Sequence, residues 1–165
     1  MTIAKAPFDV QELVRRNTSG KCFICEFIRG NPDYRHTMVA ETRQSVAFLN
    51  RYPTLFGSVL VAPRDHLEQV TGDFLLDKYL EIQRFVYAVA EGMRRILSPE
   101  RMYIVSLGSQ AANSHVHWQV AALPRGIPLH QQQYHALMHE HGVIVASEAE
   151  SNEYVRLLEA AINAA

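Results

Sequence analysis

Two histidines and a glutamine, His115, His117 and Gln119, stand at alternate positions of one short segment, with apolar residues between them. Successive side chains of a β-strand point to opposite faces, so this spacing predicts that all three lie on one face. Three adjacent hydrogen-bonding groups suit a ligand whose oxygens must be bound together. The alternative is the polar face of a half-exposed edge strand, because alternation by itself indicates only secondary structure.

The two cysteines of the chain, Cys22 and Cys25, have the spacing Cys-x-x-Cys. In a reducing compartment this spacing is typical of a metal site or a redox-active pair rather than of a structural disulfide. A thioredoxin-like redox pair belongs beside a βαβ pattern, which the sequence lacks. Two buried thiols without a metal are the remaining alternative.

The composition excludes several classes of function. The chain has 165 residues, 16 Lys and Arg against 17 Asp and Glu, and a formal net charge of -1. We expect a single domain over residues 1–165, and no binding to duplex nucleic acid, which relies on neutralising phosphates. Since no apolar run reaches the roughly 18–20 residues of a membrane helix, no membrane association is expected. The first ten residues lack the apolar segment of a secretion signal, which predicts a cytoplasmic protein.

The elements that would position these residues follow from the hydrophobic pattern. Amphipathic segments predict helices over 8–16, over 22–29, from about 74 to 97 and from about 147 onward. Residues typical of strands predict strands at 45–50, 58–62, 102–106 and 115–122, and a short apolar run covers 143–145. The strands are grouped and do not alternate strictly with helices. The pattern therefore predicts an α+β fold with a mainly antiparallel sheet of about five strands.

The longest predicted helix carries seven apolar residues on one stripe, at alternating steps of four and three from Leu75 to Ile96. Asp73 is a suitable N-cap residue for it, and Ser98-Pro99 ends it. Such a stripe packs against the core of its own chain or against a partner subunit, and core packing is the commoner case.

A second group of histidines lies in the His- and Gln-rich segment 130–141. His135 and His139, four residues apart, would bind a metal on a helix only with a third ligand, and none is evident at helical spacing. A solvated helix is the simpler interpretation. The segment could also form a flap over a bound substrate.

The alternating motif and several further blocks resemble the histidine triad (HIT) superfamily, whose signature is His-φ-His-φ-His/Gln-φ-φ with φ apolar. The further blocks occur in the family order and are Cys22–Cys25, 48–53, 57–66 and the loop 107–114. The resemblance covers residues 20–128 and leaves 129–165 as a C-terminal extension with a predicted helix. It implies the HIT fold, with one long helix packed with the sheet, and a homodimer.

The resemblance also implies a covalent reaction at phosphorus. The central histidine of the family, here His117, attacks the α-phosphorus of a nucleotide conjugate, and a second acceptor resolves the nucleotidyl-histidine. A neutral imidazole nitrogen is nucleophilic near pH 7, which suits this role. In relatives a nearby backbone carbonyl binds the other ring nitrogen, and the sequence does not identify that carbonyl.

The third position of the motif separates the branches of the family. Most hydrolytic members carry histidine there, whereas the galactose-1-phosphate uridylyltransferase and dinucleoside-polyphosphate phosphorylase branches carry glutamine, as this chain does at Gln119. An amide can donate a hydrogen bond to a phosphoryl oxygen but is no general acid. We therefore expect a dinucleoside polyphosphate or adenylyl conjugate as substrate, with either nucleotidyl transfer from it to an acceptor or its phosphorolysis as the reaction. Hydrolysis of the same bonds is the close rival, and a nucleotide-sensing module without turnover is the rival from another class.

The same comparison implies a zinc site. In zinc-containing members the ligands are the Cys-x-x-Cys pair, a histidine after the second predicted strand and the first histidine of the motif. The matching residues are Cys22, Cys25, His66 and His115. Two cysteines and two histidines form a closed tetrahedral set, so the ion would be structural and would link the N-terminal segment to the catalytic strand.

Four more residues match positions that contact the nucleotide in relatives. Asn50 matches the residue that holds the ribose hydroxyls, although Asn is also common as a turn residue. Ser109, Gln110 and Asn113 lie in the loop that wraps the phosphates, where small residues would let backbone N–H groups approach an anion. A solvated loop is the alternative for these three.

Overall fold

A five-stranded antiparallel sheet forms the framework of the protein. The computed structural model describes residues 5–18 and 20–164. In spatial order the strands are β2 (Met38–Glu41), β3 (Ser45–Leu49), β4 (Val59–Pro63), β6 (Trp118–Leu123) and β5 (Arg101–Val105). All four pairings between neighbouring strands of this sheet are antiparallel. The predicted α+β fold with a mainly antiparallel, five-stranded sheet is confirmed.

A separate ribbon pairs β1 (Lys5–Ala6) with β7 (Val143–Ile144) and joins the beginning of the described chain to the C-terminal extension. The sequence pattern did not predict β1 or β2. These strands have two and four residues, which is too short to show a period of two.

Five α-helices are present in the described residues: α1 (Val10–Asn17), α2 (Phe23–Ile28), α3 (Leu76–Leu97), α4 (Tyr134–Leu137) and α5 (Glu148–Asn163). Short 3₁₀ turns lie at Pro32–Tyr34, Leu129–Gln131 and His139–His141. The predicted start of the last helix is confirmed by a capping box, in which Ser147 Oγ accepts from the Glu150 N–H and the Glu150 carboxylate accepts from the Ser147 N–H.

The predicted N-cap of the long helix is wrong by two residues. Leu75, not Asp73, occupies the N-cap position of α3. The Asp73 carboxylate instead accepts hydrogen bonds from the backbone N–H groups of Glu68 and Gln69, both at 2.9 Å. It therefore stabilises the loop before the helix. At the other end the chain leaves the helix at Ser98, as predicted, in the left-handed conformation with φ 45°.

The strand predicted over 115–122 begins only at Trp118. The backbone N–H of Val116 donates to the carbonyl of Leu67 at 2.7 Å, so this stretch bonds to a loop and not to a neighbouring strand. His115 consequently lies in a bend and is buried.

The main core lies between one face of the sheet and the helices α3 and α5. Apolar residues from the central strands and both helices are buried there, among them Val59, Val61, Val89, Met93, Trp118, Val120 and Leu158. The stripe of α3 faces this core over most of its length, whereas Leu75, just before the helix, is 78% exposed. Core packing is therefore the correct interpretation of the stripe.

The opposite face of the sheet is partly covered by α2. Ile24 of that helix packs against Val46, Phe48 and Leu60. Both faces of β3 and β4 are buried as a result, which explains their continuous apolar runs. The cavity described below opens beside this second cluster.

Gly57 allows α5 to approach the turn before β4. Its φ is +68°, and a Cβ there would lie 2.5 Å from the Tyr154 ring carbon Cζ. Gly57→Ala should lower the free energy of unfolding by about 1–2 kcal/mol for the left-handed backbone, and by about 1–3 kcal/mol more for the contact. Gly126→Ala is the matched control, because Gly126 has φ +81° and no neighbouring atom within 4 Å. Urea unfolding measures both variants, and equal losses would contradict the role of Tyr154.

Among the described helices, none is both long and apolar enough to cross a membrane. Two sequence-based expectations involve residues outside the described ranges. The N-terminal stretch without a secretion signal includes residues 1–4, and the single domain expected over 1–165 also includes residues 19 and 165.

Candidate active site and metal site

A cavity of about 610 Å³ opens on the second face of the sheet, between β6, the turn after β3 and the helix α1. Four of the predicted site residues line it: His117, Gln119, Asn50 and Asn113. Gln119 lies opposite Leu60 of β4 in the sheet register, so both side chains are on the same face. The cavity is large enough for a ligand of the size of a nucleotide.

The hydrogen bond of His117 fixes which of its ring nitrogens can react. Nδ1 lies 2.8 Å from the backbone carbonyl oxygen of His115. A carbonyl only accepts hydrogen bonds, so Nδ1 carries the proton and Nε2 of the neutral ring has the free electron pair. Burial lowers the pKa of His117, with the His115 carbonyl acting in the opposite direction, and the ring is therefore neutral at pH 7. This carbonyl is the partner that the sequence did not identify.

Asn50 directly follows β3. Its position agrees both with a turn residue and with a residue that contacts a ligand. Its Oδ1 accepts a hydrogen bond from the N–H of Tyr52 at 3.0 Å, as a turn residue would. It also lines the cavity. Because the Tyr52 N–H requires an acceptor, the amide oxygen must face it, and the Nδ2 group of Asn50 remains as a donor.

The loop before the motif contributes less to the cavity than predicted. Asn113 lines the cavity and has a positive φ of 57°. Ser109 and Gln110 are exposed and are not part of the cavity wall. Ser109 instead forms an isolated backbone bridge with Ala112. Contacts of Ser109 and Gln110 with a nucleotide stay a prediction.

Basic and aromatic residues complete the wall of the cavity. They come from α1, the start of α2, the segment before β2, the turn after β3 and the C-terminal extension, and include Arg15, Arg16, Lys21, Phe23, His36, Arg51, Tyr52 and His139. The Arg16 guanidinium donates to the phenol oxygen of Tyr52 at 2.9 Å, although Arg15 and Arg16 are also paired with Glu12. No motif or period marks these residues, since they converge from distant positions in the chain.

The helical pair of histidines predicted at His135 and His139 does not form. The helix α4 ends at Leu137, and His139 begins a separate 3₁₀ turn. His135 stacks on His141 with ring centroids 3.6 Å apart, whereas His139 lines the cavity. Metal binding by this pair at helical spacing is excluded because the backbone turns between the two residues.

The four predicted metal ligands, Cys22, Cys25, His66 and His115, converge at one point. Their ligand atoms all lie within 4.8 Å of one another. The distances from Sγ to Nδ1 are 3.4 Å for Cys22–His115, 3.3 Å for Cys25–His66 and 3.5 Å for Cys25–His115. A tetrahedral zinc ion with sulfur at about 2.3 Å and nitrogen at about 2.0 Å would separate these atoms by about 3.5 Å. The arrangement therefore fits a metal ion.

Both histidines of this cluster present the nitrogen that a metal requires. Nε2 of His115 lies 2.9 Å from the Pro63 carbonyl oxygen, and Nε2 of His66 lies 3.0 Å from Oε1 of Glu68. Each acceptor holds the proton on Nε2, which leaves the Nδ1 electron pair free on the side of the cysteines. A carbonyl or carboxylate behind the imidazole is typical of histidines that bind metals.

The protonation of the cluster would change when a divalent cation binds. Burial and the adjacent Cys22 thiol raise the pKa of Cys25 to about 11, and burial lowers the pKa of His115 to about 4. In the protein alone, the thiol of Cys25 is protonated and His115 is uncharged. A divalent cation would favour loss of the thiol protons, because coordination stabilises the thiolate. Neither cysteine is in a disulfide.

The fold that carries these two sites is found in solved structures of histidine triad proteins. A hypothetical histidine triad nucleotide-binding protein from Sulfolobus tokodaii is similar with a TM-score of 0.68 and 18% identity, over 87% of this chain and 93% of its own. A zinc-bound histidine triad family protein from Mycobacterium smegmatis is similar with a TM-score of 0.64 and 19% identity, over 87% and 94%. A histidine triad protein from Marinobacter aquaeolei VT8 is similar with a TM-score of 0.66 and 13% identity, over 96% of this chain and 98% of its own.

The sequence by itself matches no known protein-family description and no curated protein. The structural matches extend over most of both chains in each case. The chain therefore has the histidine triad fold, and the predicted resemblance is confirmed at the level of the fold.

Proposed function

We propose that the protein is a nucleotide-binding enzyme that cleaves a nucleoside phosphoanhydride through a nucleotidyl-histidine intermediate on His117. The observation that carries this proposal is the 2.8 Å hydrogen bond from Nδ1 of His117 to the His115 carbonyl. This bond leaves Nε2 unprotonated on a ring that lines a cavity of nucleotide size. The similar structure from Sulfolobus tokodaii is of a hypothetical histidine triad nucleotide-binding protein, which supports the same class of ligand.

In the first step the Nε2 electron pair attacks the α-phosphorus, a P–N bond forms, and the P–O bond to the leaving phosphate breaks with its electron pair on oxygen. The ring of His117 then carries a positive charge. The His115 carbonyl stabilises that charge through the bond to Nδ1. In the second step an oxygen of phosphate or water attacks the phosphorus, the P–N bond breaks, the acceptor releases its proton to solvent, and the ring is neutral again.

Gln119 favours transfer over hydrolysis in this scheme. Its side chain lines the same cavity as His117, where the amide N–H can bind a non-bridging oxygen at every pH of interest. An amide donates no proton to a leaving group. Phosphate and nucleoside polyphosphates, which leave without protonation, are therefore the best leaving groups for this site, and phosphorolysis or nucleotidyl transfer is the preferred reaction. Gln119 therefore supports the expected position of the chain nearer the glutamine-containing branch.

We assign the ribose to Asn50 and the phosphates to Asn113 and the rest of its loop. Ser109 and Gln110 are exposed in this structure, and their backbone N–H groups would approach an anion only when the loop closes on it. Basic side chains in the wall of the cavity favour an anionic ligand.

We also propose that the Cys₂His₂ cluster binds a structural zinc ion. The donor set, the spacing of its atoms and the proton positions on both imidazoles support this. The zinc-bound relative in fold from Mycobacterium smegmatis gives further support. The ion would fasten the start of α2 to the bend before β6, two residues from His117, and so help to hold the nucleophile in place.

Diadenosine tetraphosphate tests the reaction directly. Incubated with inorganic phosphate, the protein should release ATP and ADP, and without phosphate it should release AMP slowly or stop at a nucleotidylated protein. Intact-protein mass spectrometry during turnover should show an adduct of the mass of one nucleotidyl group. AMP as the main product at saturating phosphate would favour hydrolysis, the second candidate reaction. Nucleotide binding without any product would instead favour the sensing module.

A homodimer is the expected assembly. β5 is an edge strand of the sheet, with only β6 beside it among the described strands, and Ile104 on it is 46% exposed. A second copy could cover this edge. The free thiols of Cys22 and Cys25 fit the reducing conditions of the cytoplasm.

A further inference from the structure

His139 is the residue of the described C-terminal extension that lines the active-site cavity. Its Nε2 lies 3.1 Å from the backbone carbonyl oxygen of Tyr52. Its ring also contacts Phe8, with centroids 5.3 Å apart, and Phe8 in turn contacts the Tyr52 ring at 4.9 Å. These contacts hold the imidazole in one orientation against the turn that follows β3.

The bond to Tyr52 determines what His139 offers to a ligand. A carbonyl only accepts, so Nε2 carries the proton and Nδ1 has the free electron pair. Nδ1 makes no hydrogen bond to the described part of the chain. Burial lowers the pKa of His139, as does Lys5, while the Tyr52 carbonyl and Glu140 act in the opposite direction. The neutral ring therefore presents an acceptor at pH 7.

Asn50, on the same turn, offers the complementary group. Tyr52 connects the two residues, because its N–H donates to Asn50 Oδ1 at 3.0 Å and its carbonyl accepts from His139. The free group of Asn50 is the donor Nδ2, and the free group of His139 is the acceptor Nδ1. The donor on Asn50 and the acceptor on His139 are therefore both held in the cavity wall by the backbone of Tyr52.

We propose that Asn50 and His139 together recognise the vicinal diol of a ribose, with Asn50 Nδ2 donating to one hydroxyl and His139 Nδ1 accepting from the other. The inference rests on the proposed nucleotide-binding function and adds a specificity residue to it. A phosphate oxygen cannot fill this position, since it only accepts and would face an acceptor. A hydroxyl pair both donates and accepts, and so satisfies both residues at once.

Calorimetric binding of AMP, 2′-deoxy-AMP and 3′-deoxy-AMP tests the proposal, with GMP, CMP and UMP as further ribonucleotides. The wild-type protein should bind AMP about 5- to 10-fold more tightly than at least one deoxy form, the worth of one hydrogen bond. His139→Phe, which keeps an aromatic ring beside Phe8, should weaken AMP and leave the deoxy form that lacks the hydroxyl facing His139 unchanged, so that the preference between these two is lost. His139→Gln can donate to Tyr52 and accept from the hydroxyl, and should restore most of it. His135→Phe is the matched control and should bind like wild type, because His135 stacks on His141 outside the cavity wall.

Two results would overturn the assignment while nucleotide binding stands. One is a wild-type protein that binds ribose and deoxyribose forms equally. The other is a His139→Phe variant that weakens all forms by the same factor, which would indicate a purely structural role for the ring. If none of the nucleotides binds to the wild-type protein, the proposed function itself fails and this assignment fails with it.

Discussion

His117→Ala should lower turnover of a nucleoside phosphoanhydride by about 10³- to 10⁶-fold, as removal of a covalent nucleophile does in other enzymes. The physical reason is that the remaining groups of the cavity can bind and polarise the phosphate but cannot form the P–N bond. Affinity for AMP should change little, because binding depends mainly on the other walls of the cavity. Rates from product release and affinities from calorimetry measure the two effects separately.

His130→Ala is the matched control for this variant, since His130 is an exposed histidine of the C-terminal extension and is not part of the cavity wall. It should keep wild-type turnover. The nucleotidyl adduct should be detectable in the control by mass and absent from His117→Ala. Turnover retained within tenfold in His117→Ala would refute the covalent mechanism.

Removing the metal should have the second large effect. Protein purified without chelator should contain one zinc ion per chain by elemental analysis. If free zinc is about 1,000-fold above its Kd, binding stabilises the fold by about 4 kcal/mol. For a chain of this length, that corresponds to a loss of about 8–16 °C in Tm after chelation. Cys25→Ser should lose both the zinc and the stabilisation, because Cys25 Sγ contacts Nδ1 of both His66 and His115.

The thiols provide an independent measurement of the same site. Cys22 and Cys25 should resist a thiol reagent in the zinc-loaded protein and react after chelation, because coordinated thiolates are shielded. His66→Ala should lose zinc, and His130→Ala, which lies outside the cluster, should retain it. A wild-type protein that contains no metal and whose Tm is unchanged by a chelator would contradict the zinc site and leave the cluster without a role.

Several features of the candidate active site could be predicted because they depend on local periodicity. Alternation along the β6 segment places His117 and Gln119 on the face of the cavity, and buries Val116, Trp118 and Val120 in the main core. The pattern could not reveal that the strand begins at Trp118 and that His115 leaves it. That change depends on the hydrogen bond from Val116 to Leu67, a contact with a distant loop.

The types of chemistry follow from the sequence alone, which provides two thiols at metal-binding spacing, an imidazole and an amide on one face, and strands and helices that could carry them. Long-range contacts are needed to fix which nitrogen of His115 and of His139 is free, and to bring distant residues into one cavity and one metal cluster. The contacts responsible join residues far apart in the sequence. The separations are 93 residues for Cys22 and His115, 52 for His115 and Pro63, and 87 for His139 and Tyr52. A repeating pattern in the sequence reports only on neighbours within a few positions, whereas a backbone carbonyl that fixes a proton is placed by the packing of the whole chain.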